Sequence, residues 1–131
     1  AEQIQTPDLL ILPGTKNTID DLKWLRRTGL ESPILNCARK GIPVLGICGG
    51  YQMLGETLSD PDGVEAGGTM KGMGLLPMDT VFADGKTRTR VSGTFGKVDG
   101  ELSELSDVEL EGYEIHMGVT TCLWHVCARS I

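Results

Sequence analysis

The stretch Val44-Leu45-Gly46-Ile47-Cys48-Gly49-Gly50-Tyr51-Gln52-Met53-Leu54 leaves this chain few folds to choose from. An apolar run leads into a sharp turn with a cysteine at its tip, and a helical pattern follows. Glycines stand two residues before and two residues after the cysteine, giving G-x-C-x-G. The serine version of this pattern is a nucleophile elbow, a strained strand-to-helix turn that lifts its central side chain clear of the backbone. Small flanking residues are needed because neighbouring backbone approaches closely. The following helix offers its free N–H groups and positive dipole end to the sulfur, and both favour thiolate over thiol. The same groups favour an oxyanion on a substrate carbonyl, with Gly49 N–H as the natural donor. The competing reading of Cys48 is a small, inert core residue at the end of a strand.

The rest of the chain places this elbow in an α/β frame. Asp8 to Leu12 is a short apolar run between Pro7 and Pro13-Gly14, and it reads as a buried parallel strand. Ile19, Leu22 and Leu25 then share a helix face, with Thr18 as a candidate cap and Gly29 as the stop. Asp20 and Asp21 suit the start of that helix. Ser32-Pro33 signals the start of a second helix, which Gly41 ends. Ile42 to Ile47 is the next strand. The order strand, helix, helix, strand, helix predicts an open α/β sheet. Ligands bind such sheets beyond the carboxyl ends of the strands. The loops at Pro13 to Asn17 and at Cys48 both leave such ends and are expected to face one pocket.

Beyond Ser59 the character changes. Asp60, Pro61, Asp62, Gly63, Glu65, Gly67 and Gly68 read as a flexible, solvated acidic connector. Gly74 to Ala83, Arg88 to Val98 and Val108 to Met117 read as strands, with Asp84-Gly85 as a hairpin turn between the first two. The second half is thus expected to add antiparallel strands. Residues 119–131 form an atypical tail rich in apolar and sulfur-bearing side chains, and the chain is expected to stop before its domain is complete.

A 131-residue chain with 40% hydrophobic residues makes one domain or part of one, with a real core. A net charge of -6 argues against a nucleic-acid partner and against an anionic membrane surface. With no bilayer-spanning run and no visible signal peptide, the expectation is a cytoplasmic protein. The cysteines Cys37, Cys48, Cys122 and Cys127 form no C-x-x-C pair and fit no zinc pattern, so free thiols and no metal are expected.

Four stretches in order carry a family resemblance. Leu12-Pro13-Gly14-Thr15-Lys16-Asn17-Thr18, Gly46 to Gly55 around Cys48, Met73-Gly74-Leu75-Leu76-Pro77, and Gly112-Tyr113-Glu114-Ile115-His116-Met117-Gly118 resemble the glutamine amidotransferase domain of the cobyric acid synthase family. The likeness runs from about Asp8 to Val119 and implies an α/β, flavodoxin-like open sheet of the class I glutamine amidotransferases. It further implies a glutaminase that supplies ammonia to an ATP-using synthetase domain, which amidates corrin side-chain carboxylates in cobalamin biosynthesis. Carried over by motif, Cys48 is the nucleophile, Gly14 and Gly49 N–H groups form the oxyanion hole, and Gln52 lies near the bound glutamine. No cofactor is implied for this domain; ATP and magnesium belong to the synthetase domain, which this chain lacks. The family's catalytic histidine lies in a later motif that has no match here. His116 is a candidate pocket residue and His125 falls in the tail, so the chain alone is expected to be inactive. Two alternatives stand beside this reading: a non-catalytic α/β binding module, and an amidotransferase subunit acting on another carboxylate, such as a cobyrinate a,c-diamide or a cell-wall precursor.

Overall fold

Leu10–Leu12 (β1) and Val44–Gly46 (β2) pair in parallel, Leu10 with Val44 and Leu12 with Gly46, in a computed structural model that describes residues 6–85 and 87–123. The two strands therefore end level, and the loops that leave them start side by side. Between them lie helices Thr18–Thr28 (α1) and Glu31–Arg39 (α2), and Gly49–Met53 (α3) follows β2. The expected strand, helix, helix, strand, helix order is what the chain adopts.

Details of the helix ends differ from the sequence expectation. Asn17, not Thr18, caps α1, its Oδ1 accepting from Asp20 N at 3.0 Å. Asp20 and Asp21 do lie in its first turn. Gly29 ends α1 in the left-handed conformation at φ 77°. Its N–H bonds Arg26 O at 3.1 Å, and Leu30 N–H reaches back to Leu25 O at 2.9 Å, the paired bonds of a Schellman closure. Leu30 is locked by the end of α1, so α2 starts at once, at Glu31, ahead of the Ser32-Pro33 signal. Arg26 braces the joint, with Nε 2.9 Å and Nη2 2.9 Å from Glu31 and Nη2 3.0 Å from Gly72 O.

The core gathers Leu12, Ile19, Leu22, Ile34, Met53, Leu54, Leu58, Met73 and Phe82, with Leu10 and Val44 packed against it. That is the α1–α2 face of the parallel pair. On the other face Leu9, Ile11, Leu45 and Ile47 stay 42–51% exposed.

The second half is a set of strands: Thr57–Asp60 (β3), Gly68–Lys71 (β4), Met78–Val81 (β5), Thr87–Thr94 (β6), Glu109–His116 (β7) and Val119–Cys122 (β8). One sheet runs β4-β3-β5-β8, with β3 and β5 parallel and the other pairs antiparallel. A separate antiparallel ribbon joins β6 to β7, from Thr87 opposite His116 to Thr94 opposite Glu109. The expectation of added antiparallel strands holds. Val119 to Cys122, the first residues of the stretch read as a tail, form the edge strand on β5; residues 124–131, His125 among them, lie outside the described residues. No helix among the described residues is long and apolar enough to cross a membrane.

Three expectations are corrected. Asp84-Gly85 makes no hairpin, because both edges of β5 are already taken by β3 and β8, and β6 pairs with β7 instead. Cys122 is disulfide-bonded, so the free-thiol expectation holds for Cys37 and Cys48 but not there. The acidic stretch after Ser59 is not a solvated connector. It joins the paired strands β3 and β4 and is organised from within by the Asp60 carboxylate, whose residue is 0% exposed. Asp60 accepts N–H groups of Val64 at 2.8 Å, Glu65 at 2.8 Å and Gly67 at 2.7 Å.

Burial alone would raise the Asp60 carboxyl, but hydrogen bonds from Gly67, Glu65, Val64 and Gly63 outweigh it and hold it below the ordinary aspartate range. A depressed carboxyl stabilises the fold above the unfolded-chain value, about 3.9, and that stability is lost as pH falls through the folded value. Asp60→Asn is therefore expected to lower the melting temperature at pH 7 by several degrees. The gap to the parent should narrow as the pH of the melt is taken down from 7 through the lowered Asp60 value. A gap of constant size across that range would assign the loss to shape rather than charge.

Candidate active site

Cys48 is held at φ 51°, ψ −115°, a positive-φ conformation rare for a residue with a side chain. Such strain costs on the order of 1–3 kcal/mol and persists only where the surroundings enforce it. They do so through the glycines of the motif. A Cβ on Gly46 would lie 2.5 Å from Tyr51 Cα and 2.7 Å from Tyr51 N. A Cβ on Gly50 would lie 2.6 Å from both Leu12 C and Pro13 O. Both positions are thus filled by backbone, and the spacing of the G-x-C-x-G motif follows from that contact. Ile47 N–H bonds Leu12 O at 2.9 Å, tying the elbow to the end of β1.

The β1–α1 loop closes over the elbow, as the level strand ends require. A Cβ on Gly14 would lie 3.5 Å from Cys48 Cβ, and one on Gly49 would lie 2.9 Å from Thr18 Oγ1 and 3.2 Å from Thr15 N. Gly14 and Gly49 therefore flank Cys48 on adjoining backbone. Around them Gly50 N–H turns back to Ile47 O at 2.9 Å and Gln52 N–H to Cys48 O at 3.0 Å. Among the described residues the N–H groups of Gly14 and Gly49 have no protein acceptor. Because α3 has only five residues, these local N–H groups, rather than a long helix dipole, dominate the field at the turn.

The Cys48 side chain is exposed, so the inert-core reading does not fit it. Its Sγ lies 3.7 Å from Ile115 O, where β7 passes the elbow. His116 is the next residue, but its ring is not turned to the thiol. Nε2 lies 2.6 Å from Glu114 Oε1 and Nδ1 lies 2.9 Å from Gly118 O. Both partners are acceptors, so filling both bonds takes a proton on each ring nitrogen, or one on Nδ1 and one on the carboxyl. The ring has no nitrogen left to serve Cys48 in this arrangement.

Gln52 is 5% exposed and spans the site. Its Nε2 donates to Met117 O at 3.0 Å and its Oε1 accepts from Thr18 Oγ1 at 3.3 Å. It thus links the elbow helix to the β7–β8 turn and to the start of α1. The sequence reading missed what stands behind Thr18. Glu65, from the acidic stretch, crosses to the start of α1, where Oε2 accepts Thr18 N–H at 2.7 Å and Ile19 N–H at 3.4 Å. Burial raises the Glu65 carboxyl above the usual glutamate value despite those bonds, and Asp60 adds in the same direction. The only sequence hint was a glutamate in a loop whose other acids, Asp60 and Asp62, are turn formers.

A strained, exposed thiol, two adjoining unpaired N–H groups and a buried amide make an arrangement suited to acyl transfer. Comparison with known proteins agrees. Residues 1–126 match the CobB/CobQ-like glutamine amidotransferase domain. The chain is 62% identical over 118 residues to the cobyric acid synthase of Ruminiclostridium cellulolyticum, covering 90% of this chain and 23% of that protein. It is 60% identical over 119 residues to the cobyric acid synthase of Lachnoclostridium phytofermentans, covering 91% and 23%. Against the Salmonella arizonae cobyric acid synthase the identity is 50% over 121 residues, covering 91% and 24%. The chain spans about a quarter of the length of these relatives. It belongs to the family of CobB/CobQ-like glutamine amidotransferase domains.

Proposed function

We propose that this chain is the glutaminase part of a cobyric acid synthase, supplying ammonia for the amidation of corrin carboxylates. The observation that carries the chemistry is the Cys48 elbow, with the thiol exposed and the Gly14 backbone packed beside it. Cys48 Sγ attacks the side-chain amide carbon of glutamine. The carbonyl oxygen becomes an oxyanion facing Gly14 and Gly49 N–H, and collapse expels ammonia and leaves a thioester on Cys48. Water then cleaves the thioester to glutamate and restores the thiol. Gln52 borders the glutamine pocket, and His116 shapes its rim from the end of β7. The proton taken from the Cys48 thiol and handed to the departing ammonia needs a carrier other than His116, whose ring faces Glu114 and Gly118; in this reading that base lies outside the chain, which by itself is inactive in turnover.

The parallel β1–β2 pair fits a flavodoxin-like open sheet in a single partial domain, with residues 119–131 at its end. Parallel strands are covered on both faces in such folds, and here one face is bare of cover among the described residues. In this reading the domain carries no cofactor, ATP and magnesium act in the synthetase domain, the partners are glutamine and that domain, and the setting is cytoplasmic. The acidic charge supports the absence of nucleic-acid and membrane partners.

A glutamine-like chloroketone, read by mass spectrometry, tests the assignment. It is expected to label Cys48 in preference to Cys37, and excess glutamine should suppress the labelling. Labelling of both thiols alike, or none that glutamine protects, would show that no glutamine pocket stands at the elbow.

A further inference from the structure

We infer that Glu65 is a positioning residue for the oxyanion hole, holding the β1–α1 loop against the elbow through Thr18. The inference rests on Cys48 acting as the nucleophile. Thr18 is 1% exposed and lies where the site's parts meet. Its Oγ1 is 3.3 Å from Gln52 Oε1, 3.4 Å from Thr15 Oγ1 and 3.4 Å from Glu65 Oε1. The backbone of Gly49, one proposed oxyanion donor, packs directly on Thr15 and Thr18. The other donor, Gly14, sits in the loop that Thr18 terminates. That loop is fixed at its near end by β1, where Leu12 pairs with Gly46. At its far end Thr18 N–H is held by the 2.7 Å bond to Glu65 Oε2.

Glu65 is itself presented by a built loop. Its N–H bonds the buried Asp60 carboxylate at 2.8 Å, and the stretch is anchored in the β3–β4 pairing. A rigid path thus runs from Asp60 through Glu65 and Thr18 to both glycine N–H groups. An oxyanion hole works by holding donors where charge develops, so a shift of a few tenths of an ångström lowers turnover more than ground-state binding. An α1 start satisfied only by Asn17 and water would suffice for the helix. The reach of Glu65 across 47 residues of sequence serves the loop.

The test uses the full-length protein with Glu65→Gln and Glu65→Ala. The Gln variant keeps the shape and one acceptor oxygen for Thr18 N–H, so it guards against simple misfolding. Glutamine hydrolysis is expected to lose about 10-fold in kcat in the Gln variant and about 100-fold in the Ala variant, with KM changed less than about threefold. Iodoacetamide alkylation of Cys48, a displacement that needs no oxyanion hole, should keep its parental rate in both. Unchanged kcat in both variants would overturn the inference. So would alkylation falling in step with kcat, since the elbow itself would then be lost. A parent protein that hydrolyses no glutamine and shows no glutamine-protected labelling would instead overturn the glutaminase assignment beneath it.

Discussion

Cys48→Ser in the full-length enzyme is expected to reduce glutamine-dependent amidation by at least about a thousandfold, while amidation from added ammonia proceeds at the parental rate. The serine is nearly isosteric and can occupy the same elbow, so the fold should be spared. What it cannot do is form an anionic nucleophile near neutral pH without a strong base, whereas thiolate is both accessible and intrinsically nucleophilic. Loss of a nucleophile removes the covalent route altogether, and the residual rate reflects binding and the oxyanion hole alone. The ammonia arm matters because it bypasses the elbow. Loss of both activities would mean that the substitution damaged the coupling to the rest of the enzyme. Retention of glutamine-dependent activity would remove Cys48 from the mechanism and return it to a structural role.

Much of this site is legible in the sequence because its causes are local. The two glycines about Cys48 report backbone contact within one turn, and the structure shows that contact with Tyr51, Leu12 and Pro13. Gly29 signals its own left-handed turn, and the apolar run at Leu10 to Leu12 announces a parallel strand, although only its Leu12 side is buried and Ile11 stays exposed. The alternation along β7 likewise survives as a burial pattern. What the sequence hides is non-local. Glu65 meets Thr18 across 47 positions, and nothing in the composition of an acidic glycine-rich stretch separates a solvated connector from a loop folded on a buried carboxylate. Pairing fails for a similar reason. Asp84-Gly85 has hairpin chemistry, but a hairpin needs a free strand edge, and the partners that fill the edges of β5 come from Thr57 and from Val119 onward. His116 shows the limit at the level of chemistry. Its motif marks it as a candidate pocket residue, yet the direction of its ring is set by Glu114 and Gly118.

Gly50→Ala sets two general effects against each other, and the contact geometry decides between them. Gly50 lies inside α3 without a positive φ, so helix propensity alone predicts that alanine stabilises by up to about 1 kcal/mol. Against this, the new methyl would overlap Leu12 O and lie 2.6 Å from Pro13 O. These are main-chain atoms at the end of β1, and no rotamer change can clear them. Leu12 O also accepts Ile47 N–H at 2.9 Å, so displacing it breaks the bond that ties the elbow to the strand. Overpacking against fixed atoms costs on the order of 1–3 kcal/mol, and the lost hydrogen bond adds roughly 1 kcal/mol more. The expected result is a melting temperature lower by about 5 °C or more, with loss of glutamine-protected labelling at Cys48. Gly112→Ala is the control. Gly112 lies in β7, and a methyl added there would meet nothing within 4 Å, so its replacement should leave both readouts unchanged. If Gly50→Ala proves as stable as the parent and still labels at Cys48, then the loop after β1 yields freely, and close backbone contact is not what selects glycine at the second position of the elbow.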